Sequence, residues 1–200
     1  YRDRPAFDFI AQAMSGFMSL NGTPETGPLR AGVPISDLVA GTYAALGTVA
    51  ALVRRARTGE GERVCASLVD GLMSYGAFFA TNFLANGQVP QATGNDHGLV
   101  SPYGLFAAAD GEIAIAPSND GVYGKLLKAL GLTHLRDDPR FATNALRVQH
   151  RAEISACVNE VLRTQPRAHW MEVLNGAGVP EARAVTRSFA EMTANKRAPQ

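Results

Sequence analysis

Asp37 is the carboxylate whose place in the sequence best suits covalent chemistry. It follows the short Pro-containing run Val33-Pro34-Ile35 and precedes a long apolar stretch that we predict to be a helix. Unpaired N–H groups and the positive dipole end of a helix N-terminus stabilise an ionised carboxylate, which can act as a nucleophile. Capping of that helix by Ser36 or Asp37 accounts for the same pattern and is the commoner role of such residues. From the pattern alone, both roles stay open.

A loop with the sequence Gly94-Asn95-Asp96-His97-Gly98 is the second candidate. Its glycines permit positive φ angles and a close approach of the backbone to a ligand, as in a flexible lid. An imidazole such as that of His97 can exchange protons near neutral pH. An ordinary connecting loop explains the same residues, and two glycines are a weak signal.

The remaining candidates have simpler explanations. The predicted helix ends with three arginines, Arg54, Arg55 and Arg57. They could contact phosphate, but a favourable interaction with the negative end of the helix dipole explains them equally well. We interpret three further histidines as surface or packing residues: His134, His150 and His169. Aromatic residues with apolar neighbours are assigned to the core: Phe78, Phe79, Phe83 and Trp170.

The composition argues against several classes of protein. Nineteen Lys and Arg against eighteen Asp and Glu give a net charge of +1, too little to hold a nucleic acid or an anionic membrane. Cys65 and Cys157 have no paired ligand nearby, so we expect neither a metal site nor a disulfide framework. The sequence has no Walker, Rossmann-glycine, Gly-x-Ser-x-Gly or His-Glu-x-x-His motif. No stretch of about 18 residues is continuously apolar, and we expect a cytoplasmic location.

The elements that would position these residues follow from hydrophobic spacing and turn residues. Two hundred residues, 46% of them hydrophobic, suffice for one domain or two small ones. The Asp110-Gly111 pair between two short apolar runs predicts a β-hairpin. In chain order we predict a helix over 7–20 with Asp8 as its cap, a loop over 21–32, a buried helix over 38–56 ended by Gly59, a strand over 64–68, a helix over 69–84, hairpin strands over 103–107 and 112–116, helices near 122–130, 142–164 and 166–176, and a strand near 182–185 followed by a helical turn.

Eight ordered segments together resemble the family III CoA-transferases, the group that includes formyl-CoA transferase and crotonobetainyl-CoA:carnitine CoA-transferase. They cover essentially the whole chain. The segments are residues 3–16, Gly32-Val33-Pro34-Ile35-Ser36-Asp37-Leu38, residues 57–64, Gly94-Asn95-Asp96-His97, Pro102-Tyr103-Gly104-Leu105-Phe106, Asp110-Gly111, residues 138–144 and Gly176-Ala177-Gly178-Val179-Pro180.

The resemblance implies an α/β fold that this chain supplies in part. Residues 1–68 would belong to a Rossmann-like large CoA-binding domain that carries the nucleophile. Residues 69–190 would form a linker helix and a smaller helix-rich domain with a β-hairpin, and 191–200 the start of a return linker. Family members are longer, and the N-terminus here has no starting Met. We therefore expect the chain to be about the middle half of a protein.

The resemblance also implies a mechanism and a set of site residues. In the family, the aspartate matched by Asp37 attacks an acyl-CoA thioester, and CoA passes through an aspartyl-CoA intermediate to a carboxylic acid. A loop matched here by Gly94, Asn95, His97 and Gly98 lies over that intermediate and would bind substrate. Formyl-CoA transferase has a run of consecutive glycines there, which this chain lacks.

An isomerase of the α-methylacyl-CoA racemase type is an alternative within the same superfamily. Those enzymes use a histidine and a glutamate to move the α-proton. This chain has Phe7 and Asn119 at the matching positions, which disfavours racemisation. A non-catalytic fragment or pseudoenzyme is the second alternative.

The resemblance implies small-molecule partners and an assembly. The substrates would be an acyl-CoA and a small carboxylic acid, CoA being a substrate rather than a resident cofactor. The loop and hairpin region is most similar to the branch that uses succinyl-CoA with dicarboxylic acceptors. Family members form interlocked homodimers, in which a partner would partly bury the apolar helices over 38–56 and 69–84.

Overall fold

Residues 5–183 are described by a computed structural model of this chain, which divides into two units, 1–94 and 95–200. The first unit is mainly helical. Over residues 5–94 its elements are α1 (Asp8–Met14), a 3₁₀ turn (Phe17–Leu20), β1 (Gly22–Thr23), β2 (Gly27–Pro28), α2 (Ile35–Thr58), α3 (Leu68–Tyr75) and α4 (Ala77–Asn86).

The first predicted helix is shorter than its apolar spacing indicates. Gly16 has a φ of 77°, a left-handed conformation that ends α1 and leads into the 3₁₀ turn. The segment predicted as a loop over 21–32 contains the short antiparallel pair β1–β2, in which Gly22 faces Pro28.

The long apolar helix is confirmed and its end is as predicted. α2 closes at Gly59, which has a φ of 77° and donates its backbone N–H to the Arg55 carbonyl at 2.8 Å. Arg55 and Arg57 lie in the last turn, where they oppose the negative end of the helix dipole. Arg54 instead pairs with two exposed glutamates of the following segment.

The expected burial of α2 is wrong for this chain on its own. Val39 and Ala40 are the buried apolar residues of the helix, on the side that packs against α3. Six large apolar residues on α2 are exposed: Leu38, Tyr43, Leu46, Val49, Leu52 and Val53. Residues 5–183 supply too few neighbours to cover the helix. α2 is long and apolar enough to cross a membrane, with a mean hydropathy of 1.4, but core helices of soluble proteins meet the same criterion.

The segment between α2 and α4 differs from its prediction in two places. The strand predicted over 64–68 is wrong, because residues 60–67 pair with no strand in the described chain and Ser67 caps α3 by accepting from the Asp70 N–H at 3.2 Å. The helix predicted over 69–84 is interrupted at Gly76. Phe78 and Phe83, predicted to be core, are 48% and 42% exposed.

The second unit combines a small sheet with a layer of helices. Over residues 95–183 its elements are β3 (Gly104–Ala108), β4 (Gly111–Ile115), α5 (Asp120–Ala129), 3₁₀ turns (Thr133–Arg136 and Pro139–Phe141), α6 (Asn144–Gln149), α7 (Arg151–Leu162), α8 (Arg167–Gly176) and β5 (Glu181–Arg183).

The predicted hairpin is confirmed, with a one-residue shift of its turn. Leu105 faces Ala114, and the pairing ends at Ala108 opposite Gly111. The turn is therefore made by residues 109–110. The Asp110 carboxylate accepts the Arg167 N–H at 2.7 Å. β5 pairs with β4 in the antiparallel order β3-β4-β5. Residues 184–185 and the helical turn predicted after them lie outside the described residues.

One face of this sheet packs against the helices of the second unit to form its core. Seventeen buried apolar residues contribute, among them Phe106 and Ile113 from the sheet and Leu126, Ile154 and Trp170 from the helices. The prediction that Trp170 is core is confirmed, and its ring N–H donates to the Leu162 carbonyl at 2.7 Å.

Both sheets within residues 5–183 are antiparallel and small. The Rossmann-like large domain therefore stays a prediction about the complete protein. The predicted boundaries 1–68 and 69–190 refer to that protein too, and the division at Gly94 does not test them. Residues 191–200 lie outside the described residues.

Candidate functional site

Asp37 lies in the first turn of α2, with its side chain exposed. The carboxylate accepts no hydrogen bond from any residue between 5 and 183, so nothing described in this chain occupies its oxygens. An exposed carboxylate in the first turn of a helix is suited to nucleophilic attack.

The capping role considered for Ser36 and Asp37 is wrong. The helix begins at Ile35, two residues before Asp37, and Pro34 occupies the N-cap position without a side-chain capping bond. Both the N–H and the hydroxyl of Ser36 are directed to a different partner, Asp8. Asp8 itself is the first residue of α1 rather than its cap.

A buried polar cluster made by Asp8, Gln12 and Ser36 holds the start of α2 against α1. Asp8 Oδ1 accepts the Ser36 N–H at 3.0 Å and the Ser36 hydroxyl at 2.9 Å, and Asp8 Oδ2 accepts from Gln12 Nε2 at 2.7 Å. Gln12 Oε1 in turn accepts the Ala31 N–H at 2.8 Å. The cluster therefore fixes both the first turn of α2 and the chain that leads into it, one residue away from Asp37.

The charge of Asp8 is stabilised inside this cluster. Burial alone would raise the pKa of its carboxyl, but the hydrogen bonds from Ser36 and Gln12 and the positive charge of Arg30 outweigh burial and lower the pKa below its ordinary value. Asp8 and Ser36 are 8% and 0% exposed, so the carboxylate is ionised in a site largely closed to solvent.

The sequence contained a signal for this cluster. Asp8 and Gln12 are four residues apart and therefore share a helix face with Ala11. In α1 that polar face is buried, whereas Phe9 and Ile10 are 53% and 43% exposed. A helix whose polar face is the buried one indicates a buried hydrogen-bond network.

The predicted loop residues are divided between the two units. Gly94 closes the first unit: its φ is 62° and its N–H donates to the Gly22 carbonyl at 2.7 Å. Asn95, His97 and Gly98 belong to the second unit. Asp37 and Gly94 are thus placed in one unit and the rest of the loop in the other.

His97 is held by its neighbours as a neutral imidazole. Its backbone N–H donates to the Tyr103 carbonyl at 3.0 Å, and its Nδ1 accepts the Leu99 N–H at 3.1 Å. The proton of the neutral ring therefore lies on Nε2. Burial and the nearby charge of Arg151 lower the pKa of His97 below its ordinary value. At pH 7 His97 is suited to donating a hydrogen bond rather than to carrying a charge.

Two side chains of α6 hold the chain that follows the loop. Asn144 donates to the Leu99 carbonyl at 2.8 Å and accepts the Ser101 N–H at 3.2 Å. Arg147, 3% exposed, donates to the Ser101 carbonyl at 2.9 Å and lies 4.1 Å over the Tyr123 ring. Sequence reasoning missed both residues, although their spacing of three places them on one helix face.

A cavity of about 370 Å³ opens beside the loop in the second unit. Asn95, Tyr103 and Glu181 contribute polar groups to its lining. Glu181 Oε2 is buried without a hydrogen-bond partner among the described residues, and burial raises the pKa of this carboxyl. The first unit has its own cavity of about 320 Å³, lined mainly by apolar side chains of α3, α4 and the 3₁₀ turn.

Comparison with known proteins assigns the chain to a family. The sequence model of "CoA-transferase family III" matches residues 1–197. A succinate–glutarate CoA-transferase of Agrobacterium fabrum is 38% identical over 159 residues, which are 80% of this chain and 40% of that protein. An acetyl-CoA:oxalate CoA-transferase of Acetobacter aceti is 36% identical over 177 residues, 88% of this chain and 46% of that protein.

A solved structure agrees with these sequence matches. The crystal structure of a CAIB/BAIF family protein from Brucella suis superposes with a TM-score of 0.76 at 37% identity, over 97% of this chain and 51% of that one. This chain spans less than half the length of the two curated relatives. The predicted resemblance is confirmed, and the chain belongs to the CoA-transferase family III.

Proposed function

We propose that the protein containing this chain is a CoA-transferase, which moves CoA from an acyl-CoA thioester to a carboxylic acid through a covalent intermediate on Asp37. The observation that carries the proposal is the exposed, unoccupied Asp37 carboxylate in the first turn of α2, next to a residue fixed by the buried carboxylate of Asp8. The names of the two curated relatives support the reaction class.

The reaction is a series of acyl transfers that use one carboxylate. An Asp37 oxygen attacks the thioester carbon of the donor, the C–S bond breaks, and a mixed anhydride and CoA thiolate result. The thiolate attacks the Asp37 carbonyl carbon of that anhydride, so that the donor acid leaves as a carboxylate and Asp37 carries CoA as a thioester. The acceptor carboxylate then displaces CoA, forming a second anhydride. Attack of the thiolate on the acceptor's carbonyl carbon releases the new acyl-CoA and restores Asp37.

The loop is proposed to bind substrate during these steps. Each acyl transfer develops negative charge on a carbonyl oxygen, which hydrogen-bond donors stabilise. In the loop of Gly94, Asn95, His97 and Gly98, the donors proposed for this purpose are the backbone N–H groups of Asn95 and Gly98, the Asn95 amide and the Nε2 proton of His97. The backbone N–H groups of Gly94 and His97 already donate to the Gly22 and Tyr103 carbonyls. We propose no metal or resident cofactor, CoA being a substrate.

We propose a dicarboxylic acid as one of the substrates. Support comes from relatives named for succinate and glutarate or for oxalate. Assays of the complete protein with succinyl-CoA and a series of mono- and dicarboxylic acids test this. Faster transfer to monocarboxylic acids than to any dicarboxylic acid would contradict it.

Replacement of the nucleophile tests the mechanism. Asp37→Asn should lower CoA transfer by at least about 10³-fold and change the free energy of unfolding by less than about 1 kcal/mol, because the exposed side chain caps nothing. Asp70→Asn is the matched control, since Asp70 is also an exposed acid in the first turn of a helix. Mass spectrometry after incubation with acyl-CoA should place a CoA adduct on the peptide that contains Asp37. An adduct on another peptide, or normal turnover of Asp37→Asn, would refute the assignment.

The racemase alternative has little support from the chain. Phe7, at the position of the required histidine, is 80% exposed and apolar, and Asn119, at the position of the required glutamate, caps α5 by accepting the Val122 N–H at 3.0 Å. Deuterium uptake at the α-carbon of a 2-methylacyl-CoA would reveal racemisation. Absence of both deuterium uptake and CoA exchange in the complete protein would favour the non-catalytic alternative.

We further propose an interlocked homodimer in the cytoplasm, with residues 1–68 completing a Rossmann-like large domain and 69–190 forming the linker helix and small domain. The exposed apolar side chains on α2 and α4 support the dimer, since such surfaces are commonly covered by another chain. Light scattering of the complete protein tests this proposal, and a well-folded monomer would contradict it.

A further inference from the structure

Arg151, the first residue of α7, contacts the loop at two residues and the chain that follows it at a third. Its Nη2 donates to the His97 carbonyl at 2.8 Å and its Nη1 to the Val100 carbonyl at 3.5 Å. Nη1 also lies 3.8 Å from Oδ2 of Asp96, and the Arg151 side chain is 18% exposed. A guanidinium suits this task because its donors form a rigid planar fork, whereas a lysine ammonium offers a single point charge.

The loop depends on such side chains for its conformation. Between α4 and β3 the chain forms neither helix nor strand, so regular hydrogen-bond ladders do not hold it. Gly104 adds a steric constraint, because a Cβ at this position would collide with the Asp96 carboxylate. Asn144 and Arg147 bind residues 99 and 101, and Arg151 adds contacts to His97 and Asp96, which lie nearer the N-terminus of the loop.

We propose that Arg151 is a positioning residue, which holds the loop so that Asn95 and His97 can donate hydrogen bonds to the acyl oxygen of the substrate. This inference rests on the proposed CoA transfer and deepens it, because it names what fixes the loop that is proposed to bind substrate. Arg151 acts through the loop backbone and does not itself touch substrate. Asn95 lines the cavity of the second unit, so the position of the loop also sets one wall of that cavity.

The test compares three variants of the complete protein. Arg151→Gln removes the charge and the fork, Arg151→Lys retains the charge, and Arg163→Gln removes an exposed arginine just after the end of the same helix. Hydrogen–deuterium exchange of the peptide covering residues 95–103 reports the loop directly. Steady-state kinetics report kcat and the KM for acyl-CoA separately.

Arg151→Gln should accelerate exchange in residues 95–103 by about 10- to 100-fold, the effect of losing a charge-assisted hydrogen bond. Its kcat should fall by about 10- to 100-fold, as for a misplaced catalytic group, with the KM for acyl-CoA nearly unchanged. Arg151→Lys should lie between Arg151→Gln and the wild type in both measurements, and Arg163→Gln should match the wild type.

The outcomes separate this inference from the proposed function. An active wild type in which Arg151→Gln leaves either loop exchange or kcat unchanged would overturn the positioning role alone. An increase in the KM for acyl-CoA without a loss of kcat would also overturn it, because that result indicates uniform binding. A wild-type protein that exchanges no CoA would refute the proposed function itself.

Discussion

Replacing Asp8 removes the acceptor of a buried cluster and should destabilise the start of α2 substantially. Three donors end on this carboxylate, at 2.7, 2.9 and 3.0 Å, and two of them come from Ser36, which is fully buried. Removing an acceptor so that buried donors lose their partner costs about 1–3 kcal/mol per donor. We expect Asp8→Ala to lower the free energy of unfolding by at least this cost, because the donors from Ser36 and Gln12 stay buried.

Asp8→Asn is the sharper perturbation, because the two carboxylate oxygens have different partners. Oδ1 receives both donors from Ser36, so the amide oxygen can replace it. Oδ2 receives Gln12 Nε2, so the amide nitrogen would bring two donors face to face. Gln12 cannot simply rotate its amide, since its oxygen already accepts the Ala31 N–H. One lost hydrogen bond to a charged group corresponds to about 1.5–3 kcal/mol.

The difference in free energy of unfolding between the wild type and Asp8→Asn should depend on pH. The pKa of Asp8 is lower in the folded protein than in the unfolded chain. Its contribution to stability is therefore fully present above the unfolded value of about 3.9 and is lost as pH falls through the lower folded pKa. The stability gap between wild type and Asp8→Asn should be constant from pH 7 to about pH 5 and narrow below pH 4.

Urea unfolding of the complete protein at several pH values is the assay, with Asp70→Ala as an exposed-acid control. CoA transfer should also fall in Asp8→Asn, because the first turn of α2 carries Asp37. A loss of less than about 1 kcal/mol in Asp8→Ala, or a gap for Asp8→Asn that does not narrow in acid, would refute the view that this cluster is held by a buried charge.

Three further predictions concern the second unit. Gly104→Ala should destabilise the protein by about 1–3 kcal/mol and speed hydrogen exchange in the loop, because the new methyl group collides with the Asp96 carboxylate; equal exchange would contradict the tight contact. Trp170→Phe should lower the free energy of unfolding by about 1–3 kcal/mol in urea titrations, since it leaves a carbonyl buried without its donor. NMR titration should give Asp138 a pKa of about 2, held there chiefly by hydrogen bonds from Arg140, and Arg140→Gln should return that pKa towards its ordinary value.

Features governed by neighbouring residues could be predicted from the sequence. Gly59 ends α2 as expected because a left-handed glycine satisfies the last carbonyls within a few residues. The hairpin was predictable for the same reason, although its turn lies one residue earlier than predicted. Local rules therefore give these elements, although not every boundary.

The contacts that hold the start of α2 and the loop in place join residues far apart in the sequence, and these contacts could not be predicted. Asp8 and Ser36 are 28 residues apart, and Arg151 and His97 are 54 apart. The spacing of Asp8 and Gln12 indicates a shared polar helix face, but no local pattern identifies the distant partner of Asp8 or of Arg151. The location of Asp37 at the start of a helix was predictable, whereas the reason it is not a cap appears only when the partners of Ser36 are known.

The unequal share of buried apolar residues between the two units has a consequence for biosynthesis. The second unit has seventeen buried apolar residues in one cluster, so its segment can bury a core as soon as it leaves the ribosome. The first unit leaves most of α2 uncovered, so we expect it to reach its final form only when the rest of the protein or a second subunit covers that helix. Substitutions on the exposed face of α2 should therefore change the yield of assembled protein, whereas core substitutions in the second unit should change the stability of a segment that is already folded.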